Sequence, residues 1–121
     1  MDAELLTYDR PEVLQISWLD VLSNRNMDSI CFFESDEEDT FLVLGDGSRR
    51  KINARLDQLE RFLPVRSFHR CGWGFIVNLN RIQEYLSVDK PVLIMDNGEV
   101  IPVPKTYRYA LREQMVRRLI A

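Results

Sequence analysis

The chain has 121 residues, 45% of them apolar and 29% charged, which suits one domain with its own core and is short for two. No apolar run approaches the roughly 20 residues of a membrane-spanning helix, and the start Met1-Asp2-Ala3-Glu4 is acidic where a secretion signal is basic. The net charge of −3 hides a division: residues 1–48 carry 12 Asp/Glu against 2 Arg, whereas residues 49–121 carry 14 Lys/Arg against 7 Asp/Glu, so an acidic face can stand opposite a basic one.

In chain order, residues 13–18 alternate in a way that suits a strand with Ile16 and Trp18 inward. Trp18 to Leu22 could equally begin a short helix, and residues 23–26 read as a loop. From Ser29 to Ser35 the run Ile30-Cys31-Phe32-Phe33 predicts a strand. Asp36-Glu37-Glu38-Asp39 then makes a solvated turn, and Thr40 to Leu44 a second strand. Gly45-Asp46-Gly47-Ser48 supplies residues able to take positive φ, so Arg49 to Ile52 can return antiparallel. Asn53 is a suitable N-cap for a helix over residues 54–63, with Leu56, Leu59, Phe62 and Leu63 on one face and Pro64 as its stop.

Beyond the helix stands Phe68-His69-Arg70-Cys71-Gly72-Trp73-Gly74, then apolar Phe75-Ile76-Val77 and polar Asn78-Leu79-Asn80-Arg81. Residues 82–88 predict a further strand. The clearest local signal is a hairpin, Val92 to Met95 and Val100 to Val103, joined through Asp96-Asn97-Gly98 with Asn-Gly able to occupy the tight turn. A closing helix over about residues 106–119 would use Tyr107, Ala110, Leu111, Met115, Val116 and Leu119 as its buried or partly buried set. The elements describe an α+β domain, mainly antiparallel β, with two amphipathic helices. Residues 28–121 form the domain, and residues 1–27 are an extension or an edge strand.

The segment from Arg70 to Tyr85, with Arg-Cys-Gly-Trp-Gly-Phe-Ile-Val-Asn at its head, resembles the signature of LytTR DNA-binding domains, commonly R-x-H-R-S-[FY]-[IL]-V-N-x-x-x-I. Ile101-Pro102-Val103-Pro104-Lys105-Thr106-Tyr107 is similar to that family's L-P-V-S-R-[RK]-Y. Order and spacing agree over residues 28–119. The resemblance implies a multi-sheet β fold and the output domain of a bacterial response regulator. Its loops would read duplex DNA, often as two copies on direct repeats, and a homodimer on DNA follows by the same analogy. The matches at Arg70, Phe75, Ile76, Val77, Asn78, Ile82, Pro102, Val103 and Tyr107 read mainly as scaffold. The chain departs where the family carries His-Arg-Ser, since Gly72-Trp73-Gly74 stands there and removes two donors to phosphates or base edges. Either the surface is altered, with Trp73 stacking or offering its indole N–H, or DNA binding is lost.

The candidate DNA-binding residues are Lys105, Thr106 and Arg108 at the start of the last helix, where backbone N–H groups also favour phosphate. Trp73 joins them if its ring is presented rather than tucked inward. Arg70 either touches phosphate or is held by a structural carboxylate, and Arg49, Arg50 and Lys51 either grip phosphate or belong to a solvated hairpin. Arg112, Arg117 and Arg118 read as a solvated helix face, and Asn78 as a cap for the turn that follows it. The acidic turn at residues 36–39 would repel DNA and is expected to point away from the binding face.

Cys31 and Cys71 are 40 positions apart, without metal-ligand or paired-thiol spacing, so both are expected as free thiols, with Cys71 either inert or a redox switch beside Arg70. His69 is the only histidine, which removes any His-pair catalysis or multi-His metal site. No nucleophile–base pair, metal cluster or phosphate loop is visible, so neither an enzyme nor a cofactor is expected. The reading is a cytoplasmic transcription regulator that binds DNA, with no membrane insertion. Its rival is a LytTR-like protein-interaction module that has lost DNA binding, with the acidic amino-terminal half as its working surface and another regulator or a membrane inhibitor as its partner.

Overall fold

The computed structural model describes residues 25–86 and 89–120. The strand or helix expected before residue 23 lies outside them. A short 3-10 turn, Arg25–Ser29, leads into β1 (Ile30–Ser35), β2 (Thr40–Leu44) and β3 (Arg49–Ile52), the antiparallel meander that the alternation predicts. After α1 (Leu56–Phe62), strands β4 (Phe68–Gly72) and β5 (Phe75–Asn78) form a hairpin that docks through β5 onto β1. The first sheet therefore runs β3-β2-β1-β5-β4. A 3-10 turn at Leu79–Arg81 leads to β6 (Ile82–Leu86), β7 (Val92–Met95) and β8 (Val100–Pro102), a second antiparallel sheet, and α2 (Lys105–Ile120) closes the chain.

Strand β1 is the centre of the molecule, and its unbroken apolar run reflects burial on both faces. A register shift between Ile30 and Phe32 lets Cys31 and Phe32 both face the second sheet. On one side Ile30, Phe33, Leu42 and Ile76 pack with Leu56, Leu59 and Leu63 from α1 and its end. On the other, Phe32, Val43 and Val77 pack with Leu93, Met95 and Ile101 of the second sheet and Leu111 of α2. Each large side chain removed from water contributes about 1.5–3 kcal/mol, so these two layers hold the sheets together.

Both helices differ from their expected phase. Helix α1 starts two residues late: Arg55 is its N-cap, its backbone N–H donates to Gln58 Oε1 at 2.8 Å, and Asn53 is exposed. It also ends at Phe62, which is 65% exposed, because Leu63 turns extended and takes the inward position instead. Among the described side chains of α2 only Leu111 is fully buried, with Tyr107 and Met115 partly so. Ala110 and Val116, expected inside, are exposed, since one narrow flank of the helix meets the sheets. The side chain of Leu119 lies outside the described set.

Two hairpin turns close alike. Leu44 N–H donates to the Ser48 carbonyl and Met95 N–H to the Glu99 carbonyl, with Gly47 and Gly98 both at φ +90°. This is the three-residue loop that needs a left-handed residue in its last position, not the two-residue Asn-Gly turn. The two turns meet at one end of the molecule, where Asn97 Nδ2 donates to the Leu44 carbonyl at 3.4 Å and Arg49 bridges Glu34 and Glu99. The β1–β2 turn, the β4–β5 turn and the start of α2 gather at the other end.

Candidate nucleic-acid interface

At that second end the backbone is drawn tight. Ser35 N–H donates to the Gly74 carbonyl at 2.8 Å, joining the β1–β2 turn to the β4–β5 turn. A Cβ on Gly74 would lie 2.8 Å from the Ser35 carbonyl oxygen, so no side chain fits there. Gly72 is buried with the Pro104 ring beside it, which ties the same turn to the start of α2. Between the two glycines Trp73 projects outward, 74% exposed, with its ring edge-on to Tyr107 at 5.6 Å and 88°. Of the two positions open to Trp73, presented or tucked inward, the structure holds the first.

Arg70 has its donors engaged within the domain. Its Nε donates to the Gly72 carbonyl and its Nη2 to the Trp73 carbonyl, each at 2.7 Å, while Nη1 reaches Asp57 at 3.1 Å and Glu60 at 3.0 Å on α1. Its side chain is only 16% exposed. The carboxylate-held alternative is the one found. Arg49 is likewise engaged by Glu34 at 2.9 Å and Glu99 at 2.7 Å, at the opposite end from Trp73. Those contacts hold its guanidinium firmly charged. Lys51 pairs with Asp39 at 3.3 Å, and Arg50 is exposed on β3 with no ion pair among the described residues. Lys51 lines the groove that holds Trp73, but Arg49 and Arg50 are not brought together with the start of α2.

A different cationic group is. Lys105, Arg108 and Arg112, at spacing i, i+3 and i+7, line one shallow hollow of about 260 Å³ with Tyr109. Lys105 and Arg112 are exposed with no ion pair among the described residues, and Arg108 keeps its Nε buried without a partner among them. No acidic residue occupies the first turn of α2, so the positive end of the helix dipole stands uncompensated beside Lys105 and exposed Thr106. Tyr109 is held over this group by donating to Glu113 Oε2 at 3.0 Å, a contact that raises its own pKa. Sequence alone places Arg112 on a solvated face and does not single out Tyr109; the helical spacing from Lys105 is the signal that joins them.

The acidic turn does not point away. Glu37, Glu38 and Asp39 share with Trp73 a groove of about 960 Å³. Asp36 accepts from the backbone of Glu38 and Asp39 at 2.9 and 2.7 Å, which fixes the turn and keeps its carboxyl below the usual range. The cause is topology: β5 pairs with β1, so the turns leaving these strands lie side by side.

The remaining polar groups are structural. Asn78 is buried, accepts from Asn80 N–H at 2.9 Å and donates to the Ile30 carbonyl at 2.8 Å, the expected cap with an added anchor to β1. Both cysteines are free and buried, and burial pushes the Cys31 thiol up to about 11 and the Cys71 thiol up to about 12, the inert alternative. His69 is half-buried, its Nε2 has no partner among the described residues, and burial lowers its pKa.

With this geometry in hand, comparison with known proteins is specific. The family model for the LytTr DNA-binding domain matches residues 22–116. Among solved structures, the LytTr DNA-binding domain of a methyl-accepting/DNA response regulator from Bacillus cereus superposes with a TM-score of 0.68 at 29% identity, covering 73% of this chain and 82% of that one. A comparison with curated proteins finds no match. The class is thus that of DNA-binding output domains in transcription regulation, not that of an enzyme family. The chain belongs to the LytTr DNA-binding domain family. No helix among the described residues is long and apolar enough to cross a membrane.

Proposed function

We propose that residues 28–121 are the duplex-reading unit of a bacterial transcription regulator working in the cytoplasm, and that the end carrying Trp73 and the start of α2 is its DNA face. Lys105, Arg108 and Arg112 lie against phosphates, with the N-terminal backbone of α2 adding its dipole. Thr106 and Trp73 stand nearest the bases, the exposed indole supplying apolar contact and one N–H donor in place of the family's His-Arg-Ser. Arg70 and Arg49 serve the fold, Arg50 is peripheral, and Lys51 lines the Trp73 groove paired with Asp39. The observation that carries this reading is a presented Trp73 braced on Tyr107 in the first turns of α2, the helix whose Lys105, Arg108 and Arg112 share a hollow with no acidic partner among the described residues. By the family's habit, two copies would occupy direct repeats about one helical turn apart.

The acidic turn in the Trp73 groove favours a second reading, in which the same end docks a regulator protein. Selection of duplexes from a random pool at two salt concentrations decides between them. A DNA reader enriches a motif and loses affinity steeply with salt, because each neutralised phosphate contributes a slope of about −0.9 in log K against log salt. No duplex retained even at low salt would contradict the DNA reading and leave the protein-docking one.

A further inference from the structure

We infer that Arg70 is the positioning residue of the DNA-reading turn, a clamp that fixes Trp73 by tying the turn's backbone to α1 without touching DNA. The inference rests on the reading of the Trp73 end as the DNA face. Residues 72–74 contain two glycines and would be loose by composition. Two consecutive carbonyls of this turn, those of Gly72 and Trp73, accept from one guanidinium at 2.7 Å each. The third nitrogen is anchored 3.1 and 3.0 Å from Asp57 and Glu60. A planar guanidinium can satisfy two carbonyls and two carboxylates at once because its five donors lie in a fixed fork, whereas a lysine ammonium cannot match that geometry. Both carboxylates sit on exposed positions of α1, one residue beyond the buried Leu56 and Leu59, so the packing of the helix against the first sheet sets where the clamp is held.

A fixed Trp73 matters for discrimination more than for attraction. A misaimed indole loses its contact with one preferred base step, while Lys105 and Arg112 still hold phosphates of any sequence. The clamp therefore governs the ratio of specific to non-specific binding and leaves the salt slope alone.

The test uses the full chain and three proteins: wild type, Arg70→Lys, and Asp57→Ala combined with Glu60→Ala. The last changes only exposed side chains and keeps the fold if Arg70→Lys does not. Each is titrated with its selected duplex and with a random duplex across a salt series, and 15N relaxation is recorded at Gly72, Trp73 and Gly74 without DNA. Both variants are expected to lose about tenfold on the selected duplex, the value of one good base contact, with random-duplex affinity and salt slope unchanged. The backbone order parameters of the turn are expected to fall from about 0.85 toward about 0.6. Equal loss on both duplexes with a slope reduced by about 0.9 would make Arg70 a phosphate contact and overturn the clamp. Unchanged order parameters would overturn it as well, including in the case where wild type binds no duplex and the DNA reading itself has failed.

Discussion

Replacing Lys105 and Arg112 together by alanine separates electrostatic attraction from folding. Both side chains are exposed, and neither has an ion-pair partner among the described residues, so stability should move by no more than about 0.5 kcal/mol. If each contacts one phosphate, the double variant loses about 1.8 from the slope of log K against log salt. Raising salt from about 50 to about 200 mM is fourfold, so wild type should lose about twelvefold more affinity over that range than the variant. Anisotropy of a labelled duplex gives the two slopes, and thermal unfolding of both proteins checks the fold. Parallel salt curves would refute the reasoning, for they would show that the helix start carries no phosphate.

Three other outcomes follow from the same geometry. Changing Glu37 and Glu38 to glutamine should tighten duplex binding by about twofold per charge, the scale of a like-charge contact about 10 Å away in water, and weaker binding would move the acidic turn off the DNA face. Gly74→Ala should cost about 1–3 kcal/mol, because its Cβ meets the Ser35 carbonyl oxygen at 2.8 Å and backbone must give way. Thermal unfolding should then fall by several degrees, and an unchanged midpoint would show that the two turns separate freely. The buried thiols set an alkaline limit: their folded pKa values of about 11 and about 12 stand above the ordinary value of 9.0. Their contribution is complete below about pH 9 and declines as pH rises through 9 toward 12, because the unfolded chain releases those protons first. Denaturant midpoints across that range should fall in wild type and stay flatter in Cys71→Ala, whereas identical profiles would contradict the burial of Cys71.

What the sequence made legible was local. Period-2 alternation and the glycines at 47 and 98 fixed the hairpins, because strand faces and left-handed turns are written in neighbouring residues. The buried run of β1 was equally plain. Helix phases were harder, since Phe62 and Leu63 are both apolar and only the point where α1 ends decides which turns inward. On α2, Ala110 and Val116 could not be known as exposed before it was clear how narrow a flank meets the sheets. The candidate site was half legible. Trp73 does reach the first turns of the helix that carries Lys105, Thr106 and Arg108, through Tyr107. The partners of Arg70 lie 13 and 10 residues earlier on α1, and the acidic turn reaches Trp73 only through the pairing of β5 with β1. Contacts of that kind come from topology, which composition and spacing do not encode.

The most direct test of the central claim is an NMR titration of the full chain with its selected duplex, following backbone amides and the Trp73 indole N–H. The account predicts the largest shifts at residues 72–74 and 105–112, with the Gly47 and Gly98 turns at the far end unmoved. Shifts centred on those two turns and Arg49, with the Trp73 indole unchanged, would place DNA on the opposite end of the domain and contradict it.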